Sequence, residues 1–448
     1  MRKKKFIRAL LILPFLVSFG FSQPDEFRHL SLQEALEIGA EQGYQLLIAK
    51  AQLSEAQGQN LEAWSGFLPR ITVSENYVKS DNPVTVFGLK LKQGVFSEQD
   101  FAISSLNQPG DFENFTSDLT IKVPLLNLDA IFGKSAAGLI VKARKKSLER
   151  ATEAIIFNIK TAYFGLILSY KSLAAIEDAL KTAGTHRDNA NTALEEGIVS
   201  QADYLATEVR LAELQEQRMI AQNQIQDISD GLKLILGLEN ETRPLLPVDS
   251  LAAPPELLPK TNLNYRLFDR ADLRALHYQK QAAHRNLWRK RSAWLPRLNG
   301  FANWEWNASE VFRNESSNRT IGLQMSWHIF DGLAHWGGNK QAAARARQVE
   351  IQYRQARQQA ENQVAAAQRK IQTARQRIRV AETAVRQARE SLHIVEERFK
   401  EGLEKTADLQ TKENMLTRAK LRLLKARHDY NLATSELAFA LGGEQNVP

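Results

Sequence analysis

Phe67-Leu68-Pro69-Arg70-Ile71 returns as Trp294-Leu295-Pro296-Arg297-Leu298, 227 positions further along the chain. Two more pairs follow in the same order. Gly197 with Ala202-Asp203 returns as Gly402 with Ala407-Asp408, and Leu236-Gly237-x-Glu239 as Leu441-Gly442-x-Glu444, both at an offset of 205. Features recurring in one order mark a tandem duplication. The offset falls by 22 between the first anchor and the later ones, which places an insertion in the first copy around Asp81 to Asp111. The expected division is a first repeat over 31–237, a Pro-rich linker over 238–263 and a second repeat over 264–443. Pro244, Pro247, Pro254, Pro255 and Pro259 break any helix across that linker.

Each copy reads as helix, two strands, then two helices. In the second copy, apolar residues run Val349, Tyr353, Ala356, Ala360, Val364, Ala367, Ile371, Ala374, Ile378, Ala381, Val385, Ala388, Leu392, Val395, Phe399. Gaps of three and four held over that distance predict a coiled coil. Leu148, Ala151, Ile155, Ile159, Ala162, Leu166, Ser169, Leu173, Ile176, Leu180 and Ala183 repeat the pattern in the first copy. Alanine at so many seam positions lets helices approach closely but offers little apolar area per residue. Burial must then be spread over great length or several neighbours. A helix over 129–196 spans about 100 Å at ~1.5 Å per residue. Those expected over 32–66 and 200–236 are about half as long, so two short helices stacked end to end match one long one.

Strands are expected at about 67–78, 115–124, 298–308 and 320–330. Ile71, Val73 and Tyr77 alternate with Thr72, Ser74 and Asn76; Leu119, Ile121 and Val123 alternate with Asp118, Thr120 and Lys122. In the second copy Ala302, Trp304, Trp306 and Ala308 alternate with polar residues, as do Ile321, Leu323, Met325, Trp327 and Ile329. One apolar and one polar face fits a lipid-facing barrel with a wet lumen, and an ordinary half-buried sheet reads the same way. Trp304, Trp306, Trp327 and Tyr77 suit an interfacial aromatic belt. Four strands do not close a barrel; three copies give twelve strands and no free edge.

The chain has 448 residues, a net charge of +8 and no cysteine. Arg2, Lys3, Lys4, Lys5 and Arg8 precede the apolar run Ala9 to Phe21, which reads as a secretory signal peptide over 1–22. Most of the net charge therefore leaves with the signal. No later segment reaches spanning length in this reading, so a bilayer is met as a β-barrel or not at all. The absence of cysteine excludes disulfides, thiolate metal sites and a lipid on an N-terminal cysteine, so the protein is expected not to be lipid-anchored. Histidines at helical ligand spacing, a P-loop, a dinucleotide fingerprint and a nucleophile elbow are all missing from the sequence, so neither enzyme, cofactor nor metal site is expected.

Two other classes compete at this point. Residues 339–400 carry fourteen Lys/Arg against six Glu, which suits a nucleic-acid-binding coiled coil. A solvated helix face gives the same run, and export argues against nucleic acid. A periplasmic adaptor also carries long helical hairpins, but normally one hairpin set within Gly-rich β-domains, where this chain has two.

The duplicated helix–hairpin–helix–helix plan, the paired Leu-Pro-Arg entries and Gly-x-x-x-x-Ala-Asp at both turns resemble the TolC-type outer-membrane efflux proteins over essentially the whole mature chain. The resemblance implies a mainly α fold with a membrane β-barrel: a homotrimer with twelve strands in the outer membrane of a Gram-negative-type bacterium and a long helical barrel in the periplasm. It also implies a passive exit duct of a tripartite efflux or type I secretion system, docked by a periplasmic adaptor (membrane fusion protein) and driven by an inner-membrane pump. The docking tips would be Gly197-Ile198-Val199-Ser200 and Gly402-Leu403-Glu404-Lys405-Thr406. Lys405 stands where the pattern expects a hydroxyl, with Thr406 one position later. Asp203 and Asp408 match aspartates that ring the closed inner mouth in some members. A second acid three residues on is replaced by Ala206 and Thr411. Capping explains the glycines and the serine, and the helix macrodipole favours the aspartates, without any docking or gating role. The insertion at 81–111 is expected as an extracellular loop at the outer end, with surface decoration favoured over capping the pore or contacting lipopolysaccharide.

Overall fold

The computed structural model describes residues 26–252, 269–313, 315–401 and 403–443. The expected signal at 1–22, the linker prolines Pro254, Pro255 and Pro259, the tip glycine Gly402 and Glu444 lie outside the described residues.

Two very long helices form the frame. α5 (Leu128–Glu195, 68 residues) and α8 (Ala334–Lys400, 67 residues) each run about 100 Å. The seam of α8 buries Val349, Ala360, Val364, Ala367, Ile371, Ala374, Ile378, Ala381, Ala388 and Val395, while the other heptad positions Tyr353, Ala356, Val385, Leu392 and Phe399 are half-buried. Over the half nearer the sheet, α5 packs on α2 (Tyr44–Glu62) and α7 (Ala271–Ser292). Over the far half it packs on α6 (Gln201–Leu236) and α9 (Thr406–Ala440). The helix expected over 32–66 is interrupted: α1 (Leu32–Gln42) ends at Gly43, and α2 gives way to a 3-10 turn at Ala63–Gly66. A Cβ on Gly43 would lie 2.6 Å from the Gly39 carbonyl oxygen, so the break is tight enough to exclude a side chain.

Between the two stacked levels sits a small mixed core. β1 (Arg28–Leu30) pairs in parallel with β4 (Leu245–Pro247), so part of the expected linker is a strand rather than irregular chain. Leu30, Ile159, Tyr163, Leu166, Leu232, Leu236 and Leu245 are buried together around it. The Tyr163 hydroxyl lies 2.8 Å from the Leu30 carbonyl and 2.7 Å from the Asp249 carboxylate, and its burial pushes the phenol pKa up. Contrary to the expectation from sequence, a stretch of α5 is apolar and long enough to cross a bilayer by length and composition. Ile155, Ile159, Leu166 and Ile167 from α5 are buried in this equatorial core instead, where they serve as packing.

At the far end of the frame lies one antiparallel sheet of four strands, in the order β2 (Arg70–Ser80), β3 (Phe112–Leu126), β5 (Arg297–Ala308) and β6 (Ser316–Ser326). The last strand thus lies earlier than the expected 320–330, and Trp327 and Ile329 fall beyond it. Where the chain leaves the sheet, the Trp327 indole N–H donates to the Trp294 carbonyl at 2.9 Å. Gly332 and Leu333 then turn with φ of 66° and 74° into α8. The insertion is likewise no bare loop: it folds as α3 (Pro83–Gln93), a 3-10 turn and α4 (Ile103–Asn107).

Candidate functional site

The strand register separates the two faces across all four strands. Ile71 faces Ile121, Ile121 faces Ala302, and Ala302 faces Ile321; Val73, Leu119 and Trp304 form the next row. On this face Ile71, Val73, Ile321, Leu323 and Met325 are between 65% and 74% exposed. An apolar surface this wide marks an interaction face, and one apolar face opposite a polar one fits a lipid-facing barrel wall. Tyr77 packs on Phe115 with ring centroids 4.9 Å apart near the hairpin ends, and Trp306 lies one register step inward. At the opposite ends of the strands sit Trp64, Phe67, Trp294, Trp327 and Trp336; the Trp64–Phe67 rings are 5.8 Å apart and Trp294–Trp336 6.1 Å. From Phe115 to the far end of β3 is about eleven residues, roughly 36 Å along the strand, or about 28 Å in height at the usual tilt. Trp304, expected in a belt, instead lies between the two rows.

The other face is a hydrogen-bonded polar wall. Asn114 Nδ2 donates to Asn307 Oδ1 at 2.8 Å, and Thr120 Oγ1 donates to Asn303 Oδ1 at 3.2 Å. Asn76 Nδ2 donates to Asp118 at 3.3 Å. Among the described residues the outer edges of β2 and β6 have no strand partner.

Opposite the sheet, α5 and α6 meet in a turn whose geometry follows from four residues. Gly197 takes φ of +71°, its N–H reaches Leu194 O at 3.0 Å, and the Ile198 N–H reaches Ala193 O at 2.8 Å. That is the double bond pattern of a Schellman cap. Ser200 then caps α6, accepting from the Asp203 N–H while the Asp203 carboxylate accepts back from Ser200. The α8–α9 turn follows the first in part: the Leu403 N–H reaches Arg398 O at 2.9 Å, and Arg398 pairs with Glu404 at 2.8 Å. Lys405 occupies the N-cap of α9 with no side-chain cap bond, Thr406 is buried, and Asp408 lies in the first helical turn. Ile198 is 72% exposed and Leu403 63%. Both tips therefore present an apolar side chain just past a helix end, with Val199 half-buried beside the first.

One contact near the tips escapes any sequence pattern. His186 Nε2 of α5 lies 2.6 Å from Glu413 Oε1 of α9, with both side chains largely buried. The Glu413 carboxylate, assisted by Glu396 of α8, raises the His186 pKa against the opposing effect of burial. It ties one copy's hairpin to the other's. Only the fold brings those two positions together.

A family model described as outer membrane efflux protein matches residues 40–238 and 265–443. Over 432 residues the chain is 21% identical to the alkaline protease secretion protein AprF of Pseudomonas aeruginosa, covering 93% of this chain and 87% of that protein. Among solved structures it resembles the outer membrane protein VceC of Vibrio cholerae, with a TM-score of 0.76, 20% identity, and 92% and 96% of the two chains covered. It also resembles the CmeC outer membrane channel of Campylobacter jejuni, with a TM-score of 0.80, 15% identity, and 92% and 85% covered.

Proposed function

The chain belongs to the outer membrane efflux protein family, and from that membership we propose that three copies close a twelve-strand barrel and form one passive exit duct. Members are outer-membrane channels that work with adaptors and inner-membrane pumps, and this chain is an outer-membrane channel of that family with a periplasmic portion. The observation that carries the trimer is the four-strand sheet with both edges open, apolar outside and polar inside, at one end of helices about 100 Å long.

In this reading the polar wall of Asn76, Asn114, Asn303 and Asn307 lines the lumen. Tyr77, Phe115 and Trp306 mark the outer membrane interface, and Trp64, Trp294 and Trp327 the inner one. The tips at Gly197 to Ser200 and at Leu403, Lys405 and Thr406 receive the adaptor, with Ile198 and Leu403 as the apolar anchors. A pump in the inner membrane supplies the energy, because a duct of this kind holds no motor of its own. Asp408 is the stronger gate candidate at the inner mouth. Asp203 is already engaged by Ser200. The relative AprF bears the name of a protease secretion protein, which makes a polypeptide a reasonable cargo to try first.

Extraction in detergent, followed by mass measurement and planar-bilayer recording, tests this reading. A trimer with stepwise conductance is expected. A monomer without conductance, or a soluble species bound to DNA, would sink it.

A further inference from the structure

The insertion of the first copy lies against the polar wall. Gln93, only 4% exposed, places Nε2 2.8 Å from the Glu113 carbonyl, 2.8 Å from Asn114 Oδ1 and 3.2 Å from the Ala308 carbonyl. Asn114 passes the contact on to Asn307, so one side-chain amide of α3 is bonded into the network that crosses β3 and β5. Next to it, Lys92 Nζ lies 2.9 Å from Glu305 Oε1. Glu305 shares the face of Asn303 and Asn307 by the two-residue period of the strand. Gly94 closes α3 with φ of +72° and passes beside Ser316 of β6. α3 therefore bridges three strands on their polar side, at the end where the hairpins turn.

The segment is also a folded unit rather than a tether. Phe87, Phe96 and Phe101 stack edge to face with centroids 4.8 and 5.2 Å apart, and Val86 of α3 is buried. Lys90 pairs with Asp100 at 2.6 Å, and Asp100 in turn accepts from the Ser97 N–H at 2.8 Å. The corresponding turn of the second copy, between Ala308 and Ser316, is short and carries no such unit among the described residues.

We infer that the 81–111 segment is a lid seated inside the outer mouth of the duct and fastened to the lumen wall by Gln93 and Lys92. The inference rests on the duct reading, since only in a closed barrel does the polar face enclose a lumen; there, a body packed on that face must occupy the bore. The polar fastening is small: one ion pair and the three hydrogen bonds of one side-chain amide. The surface left uncovered is apolar, with Val84, Leu91, Val95, Phe101 and Ile103 each at least half exposed. In a threefold barrel the three lids would turn such side chains toward the bore and close it by mutual contact, whereas passing cargo would press them back on the wall.

The test uses the lack of native cysteine. Asn303→Cys places one thiol on the polar wall, two residues deeper than Glu305. Intact cells carrying it are treated from outside with a bulky, membrane-impermeant maleimide. The comparison is among the complete lid, a lid replaced by a short Gly-Ser turn, and the unfastened pair Lys92→Glu with Gln93→Ala. Labelling is expected to be slow with the complete lid and several-fold faster in both altered forms, with heat-resistant trimers on gels in all three. Equal labelling rates in the three forms would overturn the lid while leaving the duct intact. If the thiol stays unreactive in all three although it labels after detergent extraction, the polar face does not open outward, and duct and lid both fail.

Discussion

Ser200 and Asp203 cap each other at the entry to α6. The Asp203 N–H donates to Ser200 Oγ at 3.2 Å, while the Asp203 carboxylate accepts from the Ser200 hydroxyl at 2.6 Å and its amide at 3.3 Å. Those bonds, led by the Ser200 hydroxyl and aided by the charge of Lys405, hold the Asp203 carboxyl below its usual range. A carboxylate so engaged is a poor candidate for a ring that must face passing ions.

The two aspartates should accordingly separate on mutation. Asp408→Ala is expected to lower cation selectivity in single-channel recordings, and Asp203→Ala to leave it nearly unchanged while speeding amide exchange at the start of α6. The Asp203 contribution exists above the unfolded carboxylate pKa of about 3.9 and disappears as pH falls through the lower folded value. Unaltered selectivity in Asp408→Ala would refute the gate assignment.

Charge on an exposed tip anchor is the sharpest test of docking. Ile198→Asp or Leu403→Asp removes no buried contact, since both side chains are largely exposed. Trimers should assemble at normal levels on gels, and export should be lost because an apolar contact with the adaptor cannot accept a desolvated carboxylate. Normal export by both variants would rule out these anchors.

The His186–Glu413 contact predicts a dependence on alkaline rather than acid pH. Its partner raises the His186 pKa, so the stabilisation is complete below the unfolded value of about 6.5 and fades as pH rises through the higher folded value. Hydrogen exchange of α5 and α9 near the tips should quicken as pH rises above about 6.5 and through the higher folded value in the parent protein. In His186→Gln the same helices should exchange faster throughout, once the intrinsic pH effect on exchange is removed, and show no such step.

Tyr163→Phe probes the equatorial core without opening a cavity. The hydroxyl bridges Leu30 and Asp249, and Asp249 also accepts from the Leu32 N–H at 2.7 Å. Losing one buried hydroxyl from that network should cost about 0.5–1.5 kcal/mol and lower the melting temperature measurably. A melting curve matching the parent would show that Asp249 finds other partners.

Periodic features were legible in the chain, and contacts between distant polar side chains were not. The α8 seam could be read because every third or fourth residue is Ala, Val or Ile, and those positions are the buried ones. The strands could be read from alternation, but their ends could not. Trp327 and Ile329 continue the alternation after the hydrogen bonds have stopped, and only the Trp327 contact to Trp294 shows where the chain turns. Gln93 and His186 gave no signal, since an isolated polar residue acquires its partner from the fold. The tryptophan of the second Leu-Pro-Arg entry was in plain view; its place at the strand ends, beside Trp336, depended on where α8 begins.

The open edges of β2 and β6 carry a consequence for heredity as well as for architecture. If three chains must lend their edges to one wall, a chain unable to pair at β6 damages its neighbours along with itself. With equal amounts of sound and faulty chains mixing at random, only about one assembly in eight would be wholly sound. A defective copy of this gene should therefore behave as a poison to an intact one, and a mild edge defect should show more strongly in mixed cells than its own weakness suggests.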